Sequence, residues 1–177
     1  VKHFLDSALF LRYSGTLPES LSLIDVGTGA GFPGLVLAVL KPNWKITLLD
    51  SLQKRVNFLE TVSKELKLDN VRCIHNRAED GGQAPALREQ FQVATARAVA
   101  NLPLLCEYCL PFVKAGGWFL PMKGADPHEE GERAQKAIAL LGGKLEEIQE
   151  YTLPEGSHRS VFRIRKVRQT PKQYPRN

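Results

Sequence analysis

The stretch Asp25-Val26-Gly27-Thr28-Gly29-Ala30-Gly31-Phe32-Pro33-Gly34 decides the fold. It follows an apolar run at residues 22–26, SLIDV, which is typical of a buried strand. It leads into the apolar segment 33–40, PGLVLAVL, whose first proline suits the opening turn of a helix. A strand, a glycine-rich turn and a helix begin a parallel α/β unit. In such sheets ligands bind outside the carboxyl ends of the strands, so this turn is the first candidate for a binding site.

The same alternation of strand and helix continues along the chain. After a helical lead from Val1 to about Leu11, strands are predicted at 22–26, 45–49, 71–75, 91–95 and 118–122. Helices are predicted at 33–40, 51–66, 102–113 and 126–141, with Ser51 as a cap, a loop at 81–85, and Gly116-Gly117 ending the third of these helices. Strands near 145–153 and 160–167 flank a Pro-Glu-Gly turn and form a hairpin. The order predicts an α/β, Rossmann-like fold with a mostly parallel seven-stranded sheet and a C-terminal antiparallel hairpin.

Composition describes an ordinary globular chain. Its 177 residues, 43% apolar and 24% charged, predict a single domain over 1–177. No apolar run is long enough for a membrane span, and no signal peptide is visible, so a cytoplasmic protein is predicted. The odd number of cysteines predicts no disulfide framework. Cys106 and Cys109 lie in an apolar helical run and are expected to be buried thiols, and no metal site is predicted.

Basic residues are concentrated at the C-terminal end. The net charge is +5, and residues 157–177 carry seven arginines and lysines and no acidic residue. Such a one-sided segment, including the tail 168–177, predicts contact with a polyanion, although a merely solvated basic end is the alternative.

Two classes of ligand suit the glycine-rich turn. Gly29, Gly31 and Gly34 match the G-x-G-x-x-G spacing of dinucleotide-binding proteins. The acidic Asp25, two residues before Gly27, favours S-adenosylmethionine (AdoMet) instead, because AdoMet has a cationic sulfonium and an amino group and no pyrophosphate. The alternative role for Asp25 is a buried carboxylate that organises the loop.

Two later positions are candidates for the same ligand. Asp50 ends the second strand, where an acidic residue accepts hydrogen bonds from ribose hydroxyls in both classes of protein. Ala78-Glu79 follows the third strand, where an adenine would lie, although Glu79 could also be a solvated loop residue.

Several ordered motifs together resemble one family. These are DVGTGAGFPG at 25–34, LLDSLQKRVNFLETVSKELKLDNV at 48–71, NRAED at 76–80, TARAVANL at 95–102 and RIRKVRQTPKQYPR at 163–176. The sequence is similar to the RsmG (GidB) family of small-subunit rRNA methyltransferases over nearly its whole length. KHFLDSALFL at 2–11 resembles the end of that family's N-terminal helical region, so part of this region is expected to be absent.

The resemblance implies a class I AdoMet-dependent methyltransferase. Its members methylate N7 of one guanosine of 16S rRNA near the decoding region, with S-adenosylhomocysteine as the other product. A monomer acting on 16S rRNA or the small subunit is expected. The residues implied for the cofactor, together with the glycines of the loop, are Asp25, Gly27, Gly29, Gly31, Phe32, Asp50, Ser51, Leu52, Ala78, Glu79 and Arg97.

The acceptor chemistry needs no general base. Guanine N7 has an in-plane lone pair and no proton, so alignment with the methyl donor suffices for in-line displacement. The turn Thr95-Ala96-Arg97-Ala98 lacks the NPPY-like sequence typical of amine methylation, and Arg97 is the candidate for positioning the guanine, a structural ion pair being its alternative. The residues expected to contact RNA are Lys54, Arg55, Lys123, Arg159, Arg163, Arg165 and Arg168.

Two other functions stay open from the sequence. One is a nicotinamide-dependent oxidoreductase that uses Gly29 to Gly34, and the other is a non-catalytic RNA-binding protein with the same fold. His3 and Asp6 match a family position and are expected to be structural.

Overall fold

A computed structural model of the chain describes residues 1–97 and 99–177. Strands and helices alternate as predicted, followed by the two strands of the hairpin. The helices are α1 Lys2–Tyr13, α2 Gly34–Leu40, α3 Gln53–Glu65, α4 Ala78–Gln83, α5 Leu102–Cys109 and α6 Pro127–Leu140. The strands are β1 Ser22–Val26, β2 Lys45–Asp50, β3 Val71–His75, β4 Phe91–Thr95, β5 Val113–Phe119, β6 Met122–Lys123, β7 Gly143–Thr152 and β8 His158–Lys166.

The sheet is parallel over its first five strands and antiparallel at one end. The order β3-β2-β1-β4-β5 is parallel throughout. β8 lies antiparallel to β5, and β7 pairs with β8 over its length. The predicted fold class and the C-terminal hairpin are therefore confirmed.

Eight strand segments replace the predicted seven because Pro121 interrupts one strand. Trp118 pairs with Arg165 in β8, and after the interruption Met122 pairs with Val161 in the same continuous register. Proline has no N–H to donate to a ladder, but its carbonyl accepts a hydrogen bond from the Phe162 amide at 3.2 Å. β5 and β6 thus occupy one position in the sheet. They carry the chain towards the edge at which the parallel strands end, which we name the functional edge.

Both faces of the sheet are covered. On one face Ile24 and Ala94 pack with the apolar sides of α5 and α6. On the other face Leu23 and Val93 pack with side chains from α1, α2 and α3. Burial on two faces explains why β1 and β4 carry apolar residues on both faces of the sheet rather than on one.

Three local predictions are wrong. Ser51 is exposed and does not cap α3, since the Leu52 amide donates instead to Asp50 Oδ1 at 3.0 Å and the helix begins at Gln53. Gly81 and Gly82 belong to the short helix α4 rather than to a loop. Gly116-Gly117 lie inside β5 and end no helix. α5 has already ended at Cys109, where a 3₁₀ turn over Leu110–Phe112 contains Pro111, which disrupts helical hydrogen bonding.

The cysteine prediction is confirmed. Cys106 and Cys109 are free thiols with no exposed surface, and burial raises the pKa of Cys109 well above its ordinary value. Over residues 1–97 and 99–177 there is no group of three or more side chains placed to hold a metal ion. In the same residues no helix combines the length and apolar character needed to cross a membrane.

Candidate active site

The loop between β1 and α2 is held together by one buried carboxylate. Asp25 has no exposed surface, and its Oδ2 accepts hydrogen bonds from Thr28 Oγ1 at 2.7 Å and from the Gly34 amide at 2.9 Å. The loop starts with Gly27 at a φ of +68°, a conformation that favours glycine. Asp25 therefore ties the end of β1 to the first turn of α2 across the whole loop.

Most amide groups of the loop already have protein acceptors. The amides of Gly27 and Thr28 donate to Leu49 O at 2.9 and 3.1 Å. Those of Gly31 and Phe32 donate to Thr28 O. A pyrophosphate bound at a helix N-terminus requires such amides to be free. The loop consequently offers few donors to a dinucleotide, which disfavours the interpretation based on its G-x-G-x-x-G spacing.

The surroundings of Asp25 determine the pKa of its carboxyl group. Burial raises the pKa of Asp25 to about 7, while the hydrogen bonds from Thr28 and Gly34 and the charge of Arg97 act in the opposite direction. Its Oδ1 is buried with no hydrogen-bond partner among the described residues. Because the side chain is enclosed, its effect on a ligand would be through the loop conformation and the electrostatic field.

A cleft of about 260 Å³ opens beside the loop, and we name it the Asp50 cleft. Asp50 is 2% exposed, and its Oδ2 accepts a hydrogen bond from the Gly29 amide at 2.9 Å. An ionised carboxylate has about four acceptor positions, so Asp50 keeps capacity for ligand hydroxyls. The predicted positions brought together in its lining are Gly27, Asp50, Ser51, Ala78 and Glu79.

The far wall of the Asp50 cleft comes from α4 and α5. Ala78 and Glu79 form the first residues of α4, and Tyr108 of α5 lies beside them. Burial raises the pKa of Tyr108, and the neighbouring charge of Glu79 raises it further. Sequence reasoning missed Tyr108, which lies outside every quoted motif, and Val99, which lies in the TARAVANL motif but was not singled out. Both line the cleft because of how the chain packs after β4.

A second cavity, of about 370 Å³, lies at the carboxyl end of β4, and we name it the Arg97 pocket. Three of its seven lining residues are cations, and the lining consists of His3, Asp6, Arg97, Met122, Lys123, Gly124 and Arg159. Arg97 and Val99 are two residues apart in the chain and belong to the two different linings. The two cavities therefore adjoin at the end of β4. Ala98, within the TARAVANL motif, lies outside the described residues.

Arg97 is fixed by neighbours from α1 and from the glycine-rich loop. Its guanidinium lies 5.3 Å from the centre of the Phe32 ring. Nη1 lies 3.5 Å from Asp6 Oδ2, and Nη2 lies 3.4 Å from His3 Nδ1. Phe32 packs edge-on against Phe4 of α1 as well. Phe32 and Arg97, both predicted to contact the cofactor, thus pack against each other outside the lining of the Asp50 cleft, and of the two Arg97 lines the Arg97 pocket.

Asp6 is the centre of this arrangement. It is 2% exposed and accepts a hydrogen bond from the Tyr151 hydroxyl at 2.9 Å through Oδ1. Its Oδ2 lies 3.3 Å from Arg159 Nε and 3.5 Å from Arg97 Nη1. A single carboxylate therefore connects α1 to β7, β8 and the end of β4. The sequence marked Asp6 only as structural, and nothing in its spacing shows that it holds two arginines.

The cations predicted to contact RNA divide into two groups. Lys54 and Arg55 are exposed at the start of α3, with Arg55 Nη1 3.7 Å from Asp50 Oδ2. Lys123 lines the Arg97 pocket but is paired, with Nζ 2.9 Å from Glu130 Oε1 and 2.8 Å from Ala100 O. With Arg159, they form the group at the functional edge.

The second group lies outside both cavity linings, and its side chains contact other parts of the protein. Arg163 and Arg165 pack on Trp118, with guanidinium carbons 4.3 and 3.8 Å from the ring centre. Arg168 donates to the carbonyls of Ala139 and Leu140 at the end of α6. β8 runs antiparallel to β5, so at about 3.3 Å per residue Arg165 lies about 20 Å along the strand from Arg159.

Sequence relatives agree with this geometry. The family described as GidB, rRNA small subunit methyltransferase G, matches residues 1–160. The chain belongs to this family. A relative named ribosomal RNA small subunit methyltransferase G from Alkaliphilus metalliredigens is 54% identical, over 99% of this chain and 74% of its own length. The protein of the same name from Leuconostoc mesenteroides is 52% identical, over 99% of this chain and 74% of its own length.

Solved structures at low identity share the fold. The geranyl diphosphate C-methyltransferase of Streptomyces coelicolor, solved with S-adenosylhomocysteine, has a TM-score of 0.68 at 14% identity, covering 92% of this chain and 79% of its own. A SAM-dependent methyltransferase of Aquifex aeolicus has a TM-score of 0.65 at 16% identity, covering 90% of this chain and 89% of its own. At these identities the likeness establishes the class I methyltransferase fold alone.

Proposed function

We propose that this protein transfers a methyl group from AdoMet to N7 of a guanosine in 16S rRNA near the decoding region. The observation that carries the proposal is the pair of adjoining cavities at the carboxyl edge of the sheet. The Asp50 cleft has the carboxylate and the apolar walls that an adenosine requires, and the Arg97 pocket has the arginine that a guanine requires. Membership of the rRNA methyltransferase family supports the same assignment.

The residues of the Asp50 cleft fit AdoMet better than a dinucleotide. Asp50 would accept hydrogen bonds from the ribose hydroxyls, and Ala78, Glu79 and Tyr108, which line the same cleft, would surround the adenine. The loop amides are occupied by Leu49, Thr28 and other protein acceptors, which suits a ligand without phosphates. When bound, AdoMet supplies an electrophilic methyl group on a positively charged sulfur.

The residues of the Arg97 pocket would position the acceptor. Arginine donates two parallel hydrogen bonds to guanine O6 and N7 in nucleic-acid recognition. Here Arg97 would donate to O6 and leave the N7 lone pair free to attack, while Phe32 provides an aromatic surface for the base. Because N7 carries no proton, neither residue has to act as a base, and the rate comes from alignment of the two reacting atoms.

The RNA backbone would follow the cations at the functional edge. Lys54, Arg55 and Arg159 surround the two cavities, and Lys123 would contribute once its pairing with Glu130 is exchanged. We assign no RNA contact to Arg163, Arg165 or Arg168, since they lie outside both cavity linings and their side chains contact Trp118 or the end of α6. The proposal further takes the protein to be a cytoplasmic monomer that acts on 16S rRNA or the small subunit.

Methyl transfer tests the proposal directly. Labelled AdoMet is incubated with the protein and either undermethylated 16S rRNA or small subunits, and the modified base is mapped. Label at N7 of one guanosine is expected, whereas label at adenine or cytosine would contradict the proposal.

Ligand binding separates the remaining alternatives. A ligand present at 100 times its dissociation constant stabilises the fold by roughly 2.7 kcal/mol, which a thermal shift detects. S-adenosylhomocysteine is expected to stabilise the protein and NADH is not. Stabilisation by NADH alone would favour the oxidoreductase, and RNA binding without methyl transfer would favour the non-catalytic protein.

A further inference from the structure

The basic C-terminal segment folds back onto the helices that form the far wall of the Asp50 cleft. We name residues 170–176, TPKQYPR, the C-terminal strap. Pro175 of the strap lies so close to α4 that a Cβ on Gly82 would be 2.8 Å from its ring. Tyr174 packs against the core cluster that includes α5. The strap therefore covers the junction of α4 and α5, and only a helix turn separates its contacts on α4 from the cleft residues Ala78 and Glu79.

Arg88 binds the strap to the segment that follows α4. Its Nη1 donates to Gly82 O at 2.8 Å and to Tyr174 O at 2.7 Å. Its Nη2 donates to Thr170 O at 2.9 Å and Pro171 O at 3.1 Å. One side chain thus satisfies three carbonyls of the strap and the carbonyl near the end of α4.

Two further residues fasten the strap at its end. Gln83, the last residue of α4, donates through Nε2 to Lys172 O at 3.1 Å and Pro175 O at 3.0 Å. Glu107 of α5 accepts from the Arg176 amide and side chain at 2.8 to 2.9 Å, and this pairing holds the pKa of Glu107 below its ordinary value. The next residue along α5 is Tyr108, which lines the Asp50 cleft.

α4 needs such support because its sequence is a poor helix former. It is six residues long, AEDGGQ, and isolated helices of this length are not stable in water. Each of its two glycines weakens a helix by about 1 kcal/mol relative to alanine. Small residues at these positions permit the close approach of Phe112 and Pro175 instead. The position of Ala78 and Glu79 thus depends on tertiary contacts, and the strap supplies many of them.

We propose that the C-terminal strap is a positioning element for the adenine end of the cofactor site, acting through α4 and α5 rather than by contact with RNA. The inference rests on the proposed function for the identity of the ligand. Loss of the strap contacts would let α4 move and weaken cofactor binding. Since binding equilibria are reciprocal, cofactor binding would also tighten the strap.

The test compares Arg88→Ala with Arg168→Ala in the full chain. Both remove one arginine, but the Arg168 side chain donates to the Ala139 and Leu140 carbonyls at the end of α6 rather than to the strap. Arg88→Ala is expected to raise the dissociation constant of S-adenosylhomocysteine by about fivefold or more in calorimetry, and Arg168→Ala to leave it unchanged. Glu107→Gln, which keeps the shape and weakens the pair with Arg176, is expected to give a smaller rise.

Kinetic and exchange measurements separate positioning from general destabilisation. At a temperature well below unfolding, Arg88→Ala is expected to raise KM for AdoMet while kcat and KM for RNA stay unchanged. S-adenosylhomocysteine is expected to slow hydrogen exchange at the Thr170 and Arg176 amides of the unaltered protein. A variant that melts earlier but binds the ligand normally would overturn the inference, as would a rise in KM for RNA alone. If the unaltered protein binds no S-adenosylhomocysteine, the proposed function itself fails.

Discussion

The glycine-rich loop and the basic C-terminal segment both stand out in the sequence, and the structure uses them in opposite ways. At the loop, Asp25 is enclosed and organises the backbone, so that the surface of the Asp50 cleft is left for a ligand. In the C-terminal segment, most of the cations contact the protein itself. Lys166 has no exposed surface and lies 3.2 Å from Glu89, and Arg176 pairs with Glu107.

This difference teaches that a charged segment is not by itself a binding surface. The acidic partners of Lys166 and Arg176 are Glu89 and Glu107, which lie 77 and 69 residues earlier in the chain, so they are invisible in a local charge count. Burial lowers the pKa of Lys166 to about 8, and the charge of Glu89 limits that fall. The basic segment contributes to the fold, and even the cations that line the Arg97 pocket are paired, Arg97 and Arg159 with Asp6 and Lys123 with Glu130.

The largest expected effect tests the loop. In Gly27→Val, the new Cβ would lie 2.8 Å from the Val99 side chain at a φ of +68°. Backbone strain of this kind costs about 1–3 kcal/mol, and the clash adds to it, so AdoMet affinity is expected to fall by on the order of a hundredfold. Calorimetry measures this, with Gly156→Val as the control, because Gly156 has a φ of +96°, open space around it and no place in either cavity. An equal loss of AdoMet affinity in Gly156→Val would show that the effect comes from unfolding rather than from the loop.

The next effect concerns the charge of Asp25. Its folded pKa of about 7 lies above the ordinary value of 3.8, so the folded state holds a proton that the unfolded state has released between these pH values. Stability is therefore expected to fall as pH rises from about 4 to 7 and then to level off. Asp25→Asn can keep both hydrogen bonds and removes this dependence of stability on pH. The dependence amounts to on the order of 2–4 kcal/mol in the free energy of unfolding. Urea unfolding at pH 5 and pH 8 measures the free energy of unfolding of both proteins. An equal change in this free energy between the two pH values for the unaltered protein and for Asp25→Asn would contradict the prediction.

A third effect tests the link between α1 and the Arg97 pocket. Asp6→Asn keeps an acceptor for Tyr151 but removes the charge that holds Arg97 and Arg159. Methyl transfer is expected to fall about tenfold in kcat/KM for RNA, which corresponds to the loss of about 1.4 kcal/mol, with the AdoMet dissociation constant unchanged. Glu155→Gln is the matched control, since it removes an exposed ion pair with Lys2 of the same helix. Unchanged methyl transfer in Asp6→Asn would show that α1 does not influence the acceptor site.

The smallest effect compares the two ends of β8. Arg159→Ala is expected to weaken RNA binding severalfold and to lower the slope of affinity against salt by about one, as expected for one lost phosphate contact. Arg165→Ala, from the same strand, is expected to leave the slope unchanged because Arg165 lies against Trp118, Gly116 O and Glu146. Filter binding over a range of salt concentrations measures both. If Arg165→Ala also lowered the slope of RNA affinity against salt, the basic C-terminal segment would be shown to contact RNA.

Much of the fold followed from periodicity and composition. The short apolar run at 22–26 predicted a buried strand, and strands were also predicted at 45–49 and 91–95. The structure has strands at these positions, and both faces of the sheet are covered there. Local errors arose where tertiary contacts overrode local signals. Gly81 and Gly82 suggested a loop, but the strap, Phe112 and Pro175 hold them in a helix.

The candidate site followed from the sequence only in part. Asp50, Ala78 and Glu79 end or follow strands, so the edge of the sheet brings them together. Tyr108, Asp6 and the pairing of Lys123 with Glu130 depend on how helices pack, and no spacing encodes them. The directions of Arg163 and Arg165 depend on β8 running back from the functional edge.

By itself the sequence determined the α/β class, the glycine-rich turn at the end of β1 and the family to which the chain belongs, because these depend on local patterns and ordered motifs. Only the tertiary structure decided which charges remain available. Ion pairs join residues distant in the chain, and their formation depends on strand direction and helix packing. Asp25 is enclosed and organises the loop, and Lys166 and Arg176 pair with Glu89 and Glu107. Arg97 and Arg159 line the Arg97 pocket.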